Sequence, residues 1–217
     1  MAMNKRIVSL ISPLMLGAAF VAWAWLTFSG FLTGFDQWGL ELFRDTNGVP
    51  VGAGITQSLV VMVTHLGDTI TLLVLSLLAI GWLMLRKYRR EAVTGAVSIA
   101  GLFLLNPVLK NMFARARPDI FEHVVHASTN SFPSGHALRA AGIYFLIYFL
   151  LVNRLPVKVA RAMFWVFAAA AISTGISRVY LGVHWPTDII ASWLVAATWV
   201  IYWREKLTSP GSDTKKG

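Results

Sequence analysis

Between residues 7 and 35 the chain carries no charged side chain, and uncharged apolar runs return at 69–85, 92–109, 140–153, 162–177 and 189–203. A helix rises 1.5 Å per residue, so about 20 apolar residues cross the roughly 30 Å hydrocarbon layer of a bilayer. The pattern predicts an all-α integral membrane protein, a six-helix bundle whose first span covers residues 7–28. The run at 140–153 is too short alone, so its helix must extend outward through Arg139 and His136 to Ser134, and the last span must begin at Pro186 and include Asp188. Ionisable groups at the ends of spans are a functional signal.

The first run follows Lys5 and Arg6, as a secretory signal would, but it exceeds the usual apolar stretch of about 7 to 15 residues. Ala22-Trp23-Ala24 is also a poor cleavage site, so the run reads as a retained span. Residues 31–69 are mixed. Asp36, Glu41, Arg44 and Asp45 lie on an amphipathic stretch, and Gly48, Pro50, Gly52 and Gly54 break it. This predicts a short interfacial helix between spans 1 and 2, then a re-entrant or extended lead into span 2. Residues 1–208 form one transmembrane domain, and 209–217 read as a disordered cytoplasmic tail.

Composition agrees: 56% of residues are hydrophobic and 13% charged, against roughly 25% charged in a soluble domain. With no cysteine, disulfides, thiolate nucleophiles and cysteine-held metals are excluded. A net charge of +9 would suggest nucleic acid in a soluble protein, but here it suggests cytoplasmic flanks beside anionic lipid. Placing both termini in the cytoplasm puts 13 of the 19 basic residues inside. Arg44, Lys110, Arg115, Arg117, Arg139 and Arg178 remain outside, as do all five histidines.

Those exceptions fall into three groups. Lys110 closes span 3, and Arg117 follows by seven residues, just before Pro118. On a continuing helix the two cations share a face about 10 Å apart and suit an anion, while Arg115 points elsewhere; snorkelling to the interface also explains them. Pro133-Ser134-Gly135-His136 opens span 4, where Ser134 can cap the helix and the first N–H groups offer an anion site. Ser177-Arg178 closes span 5. After a turn at Gly182, His184 and Asp188 open span 6 with the four-residue spacing that lets a carboxylate fix one ring nitrogen and free the other as nucleophile or base.

In order and spacing, Lys110 with Arg117-Pro118, Pro133-Ser134-Gly135-His136, and Ser177-Arg178 with His184 and Asp188 resemble the three signature motifs of the type-2 phosphatidic acid phosphatase family. That family includes bacterial phosphatidylglycerophosphatase B and undecaprenyl pyrophosphate phosphatases. The resemblance implies that His184 attacks phosphorus to give a phosphohistidine, that Asp188 orients it, and that His136 protonates the leaving oxygen. It implies that Lys110, Arg117, Arg178, Ser134 and the Gly135 N–H hold the phosphoryl oxygens, with no metal or cofactor. Fixed cations and helix N–H groups are what a phosphoryl group in flight requires.

Arg139, three residues after His136, is either a contact for a distal phosphate or headgroup or a partner of Asp119 or Glu122. His65 and Asp68 precede span 2 and line its entrance. Asn106-Pro107 predicts a kink in span 3. The expected activity is hydrolysis of a phosphomonoester or pyrophosphate on a membrane lipid, at the outer face of a bacterial inner membrane. Candidate substrates are phosphatidylglycerophosphate, phosphatidate, diacylglycerol pyrophosphate and undecaprenyl pyrophosphate. A lipid phosphotransferase using the same intermediate is the nearer alternative. An anion channel with the cations as a selectivity ring is the more distant one, since a pore needs neither histidine.

Overall fold

The computed structural model describes residues 12–52 and 54–208, so residues 7–11 of the expected first span and the tail at 209–217 lie outside the described residues. The first helix, α1 (Pro13–Phe28), starts where Ser12 caps it: Met15 N–H donates to Ser12 Oγ at 3.2 Å, and proline at the first helical position gives up an N–H that had no partner anyway. After an 85° bend comes α2 (Thr33–Glu41). Next are α3 (Ile55–Thr64), a 3₁₀ turn at His65–Gly67, and α4 (Thr69–Leu85), bent by 45° at Asp68. Long helices follow: α5 (Arg89–Phe113), α6 (Gly135–Leu151), α7 (Val157–Tyr180) and α8 (Pro186–Thr208).

The described residues thus hold eight helices. Three segments, Arg89–Phe113, Gly135–Arg154 and Val157–Tyr180, are each long and apolar enough to cross a bilayer, and five are if each bent pair is one span. Six is reached only by adding α8, whose 23 residues have the length but whose ends carry Asp188 and Arg204. The expected interfacial segment holds two short helices. Neither is merely superficial: α2 buries Asp36, Gly39 and Leu40, and α3 continues into α4 across the break. Helix α5 carries Pro107 inside it and runs on to Phe113.

Helix α6 lies at the centre, packed against α4, α5, α7 and α8. Its Leu138, Ile143, Leu146 and Leu150 are wholly buried. Close approach to α5 depends on Gly142, where a Cβ would fall 2.3 Å from Leu102 Cδ2. At the end where α5 begins and α6 finishes, buried Glu91 accepts from Arg154 at 2.8 Å, and the guanidinium lies 4.4 Å from the Tyr88 ring centre. At the other end the C-termini of α5 and α7 meet the N-termini of α6 and α8. Every motif residue sits there.

Candidate active site

Local chain signals bring the groups together. Gly182, in the turn between α7 and α8, has φ +75°, a conformation glycine adopts without steric cost, and a Cβ there would fall 2.8 Å from Arg44 Nη2. The turn sets His184 just ahead of Pro186 at the start of α8, with Asp188 in the first helical turn. His184 Nδ1 lies 3.2 Å from Asp188 Oδ2, and Arg117 Nη1 faces His184 Nε2 at 3.4 Å. A guanidinium has no lone pair to offer, so the geometry calls for the proton on Nδ1, donated to Asp188, and the lone pair on Nε2. Burial disfavours the imidazolium, and although Asp188 works against this, the His184 pKa is pushed down to about 3.

Lys110 and Arg117 converge, but not on one helix face. Helix α5 ends at Phe113, and Ala114 adopts a left-handed conformation (φ 45°) that turns the chain away. Residues before a proline avoid the helical region, which favours this early ending. The loop at 114–134 then brings the cations together over Thr129: Lys110 Nζ donates to Thr129 Oγ1 at 3.0 Å and to the Asn130 carbonyl, while Arg117 Nε donates to Thr129 O at 2.6 Å and Nη1 to Val183 O at 2.5 Å. Arg178, 5% exposed, donates from Nη1 to Thr64 Oγ1 at 3.0 Å and leaves its Nε without a partner.

Ser134 stands at the N-cap of α6, but its hydroxyl does not cap the helix. The buried Oγ has no partner. Gly135 opens the helix so close to Asn106 that a Cβ would fall 2.8 Å from Asn106 Oδ1. His136 lies in the first turn with Nε2 2.9 Å from Asp68 Oδ1, and Asp68 Oδ2 is 2.6 Å from His65 Nδ1. Arg139 stacks on Phe103, 5.7 Å from the ring centre, and pairs with neither Asp119 nor Glu122. His123 Nε2 donates to the Pro118 carbonyl at 2.7 Å.

Sequence reasoning missed the support beneath Asp188. Arg115, expected to point away, reaches Asp188 Oδ1 and Asp36 Oδ2, each at 2.6 Å. Ser131 Oγ donates to Asp188 Oδ2 at 2.7 Å, and the Trp185 N–H to the same oxygen at 3.0 Å. The missed signal was a period of two: once the helix gives way to extended chain ahead of Pro118, Arg115 and Arg117 both turn inward.

With this geometry in place, the comparisons assign the class. The model of the PAP2 superfamily matches residues 91–208, and the chain belongs to that superfamily. Phosphatidylglycerophosphatase B of Bacillus subtilis (strain 168) is 38% identical over 130 residues, 59% of this chain and 64% of that protein. The match therefore spans less than two thirds of that relative. Lipid A 1-phosphatase of Rhizobium etli is 32% identical over 209 residues, covering 77% of this chain and 86% of that one. Other relatives are named undecaprenyl-diphosphatases. The fold matches the crystal structure of a transmembrane PAP2-type phosphatidylglycerolphosphate phosphatase from Bacillus subtilis with a TM-score of 0.78 and 28% identity, covering 89% of this chain and 94% of that one.

Proposed function

We propose that this protein is a metal-independent membrane lipid phosphatase that works through a phosphohistidine at the outer interface of a bacterial inner membrane. Its substrates are phosphomonoesters or pyrophosphates of lipids: phosphatidylglycerophosphate, phosphatidate, diacylglycerol pyrophosphate or undecaprenyl pyrophosphate. The observation that carries this reading is the placement of His184, with Nδ1 on Asp188 and Nε2 turned toward Arg117.

In the first step Nε2 forms a bond to phosphorus as the bond to the leaving oxygen breaks. Positive charge gathers on the ring, and Asp188 offsets it. Lys110, Arg117, Arg178, the free Ser134 hydroxyl and the first N–H groups of α6, beginning at Gly135, neutralise the equatorial oxygens. His136, bound through Nε2 to Asp68, presents Nδ1–H to the leaving oxygen. In the second step the same nitrogen takes a proton from water, which attacks the phosphohistidine and frees inorganic phosphate. Arg139 stands one turn further along α6, placed for a second phosphate or headgroup.

The test is phosphate release by purified protein in detergent with EDTA, across phosphatidylglycerophosphate, phosphatidate, undecaprenyl pyrophosphate and a soluble phosphomonoester. Release that survives EDTA and vanishes in His184→Ala is expected. Release abolished by EDTA, or unchanged in His184→Ala, refutes the mechanism.

A further inference from the structure

A fully buried carboxylate needs compensation, and Asp188 is 0% exposed beside a neutral histidine. Left unpaired, such a group takes up a proton rather than stay charged. A protonated Asp188 would donate to Nδ1 instead of accepting from it, the ring proton would move to Nε2, and the attacking lone pair would be lost. The correct tautomer of His184 therefore depends on whatever keeps Asp188 ionised.

One cation meets that need directly. Arg115 Nη1 donates to Asp188 Oδ1 at 2.6 Å and to Thr187 Oγ1 at 2.7 Å, and its plane lies 5.4 Å from the Trp185 ring centre. Its other arm, Nη2, is held by Asp36, 1% exposed, at 2.6 Å. Asp36 is fixed in turn by the start of α8: the Thr187 N–H donates to Oδ1 at 2.9 Å and Thr187 Oγ1 to Oδ2 at 2.8 Å. Against the same corner α2 approaches so closely that a Cβ on Gly39 would fall 2.4 Å from Pro186 Cγ. The chain Asp36–Arg115–Asp188–His184 thus runs without a gap from the amphipathic helix to the nucleophile.

We infer that Arg115, fixed in place by Asp36, is a positioning residue of the reaction, holding Asp188 ionised so that His184 keeps its proton on Nδ1 and its lone pair on Nε2. Helix α2 is then part of the active site. Lysine at position 115 keeps the charge but loses the two-armed fork that joins both carboxylates. Glutamine loses the charge altogether.

The inference rests on the phosphohistidine reading, and its experiment separates the two. Arg115→Gln, Arg115→Lys and Asp36→Asn are compared with wild type and His184→Ala for phosphate release from dioleoyl phosphatidate as a function of pH. The His184 ring nitrogens are followed by NMR in protein labelled with ¹⁵N-histidine, which needs no turnover. In Arg115→Gln, kcat should fall about 10²-fold with KM within threefold, less than the roughly 10⁴-fold loss when a triad carboxylate itself is replaced. The acid limb should move at least one unit toward alkaline pH, and the ring proton from Nδ1 to Nε2. Arg115→Lys should recover part of the loss, and Asp36→Asn, which only loosens Arg115, should lower kcat by less.

A role confined to folding predicts less active protein with an unmoved acid limb. That result, or an Nδ1–H tautomer retained in Arg115→Gln, overturns the inference. A tautomer shift in Arg115→Gln when the wild type itself releases no phosphate from any of the proposed lipids supports the positioning role and refutes the phosphatase reading instead.

Discussion

At the residue scale the two histidines are arranged differently although each faces an aspartate. His184 is 2% exposed, and Asp188 lies beneath it as a fully buried acceptor. Burial penalises its cation, so its pKa falls from the ordinary value to about 3 and the neutral ring persists from alkaline pH down to the acid side. Its ¹⁵N ring shifts should therefore stay constant as pH is lowered from 7 to 5, whereas titration near the usual 6.5 would show that the ring is solvated. His136 instead shares Asp68 with the exposed His65. Asp68→Asn should weaken it as a general acid, a contribution of about 10²- to 10⁴-fold for an alkoxide leaving group. The loss should show with phosphatidate and shrink with para-nitrophenyl phosphate, whose leaving group needs no proton. Equal losses on both substrates would assign Asp68 a purely structural role.

At the element scale, the cradle is made of helix ends, and its precision depends on how closely the helices approach. With Leu102 2.3 Å from where a Cβ would stand, Gly142→Val forces α5 and α6 apart. Overpacking of this kind costs about 1 to 3 kcal/mol, and it also moves Ser134 and Gly135 relative to Lys110. A lower thermal midpoint in detergent together with reduced phosphate release is expected; an unchanged midpoint would mean the helices yield without strain. The long helices were legible because an uncharged run leaves a bilayer-spanning segment little choice of structure. The His184–Asp188 pair was legible because helical spacing fixes a four-residue contact. Arg115 was misread because Lys110 and Arg117 were placed on one continuing helix, which ends instead at Ala114. The role of α2 was illegible for another reason: amphipathicity marks a surface helix, but nothing near Asp36 in sequence indicates a partner at position 115 or 187. Such contacts exist only after the chain has folded.

At the scale of the whole molecule, its outer faces match lipid rather than water. Leu77 and Leu78 on α4 and Trp165 and Val166 on α7 are all more than 60% exposed, an apolar belt that a bilayer covers and water would not. Across that belt the two ends differ in kind. One carries the motif residues; the other carries Arg86, Lys87, Arg89 and Arg90 around the connection from α4 to α5, and Arg154, Lys158 and Arg161 around that from α6 to α7. Basic turns are retained on the cytoplasmic side, so the cradle should face outward. Because the chain has no cysteine, each single substitution gives a unique label. His126 lies exposed in the loop beside the site, and Lys158 is exposed in the first turn of α7 at the opposite end. In intact cells a membrane-impermeant maleimide should label His126→Cys at once and Lys158→Cys only after permeabilisation. The reverse order would turn the proposed phosphoryl cradle to the cytoplasm, and its lipid substrate would then have to come from the inner leaflet.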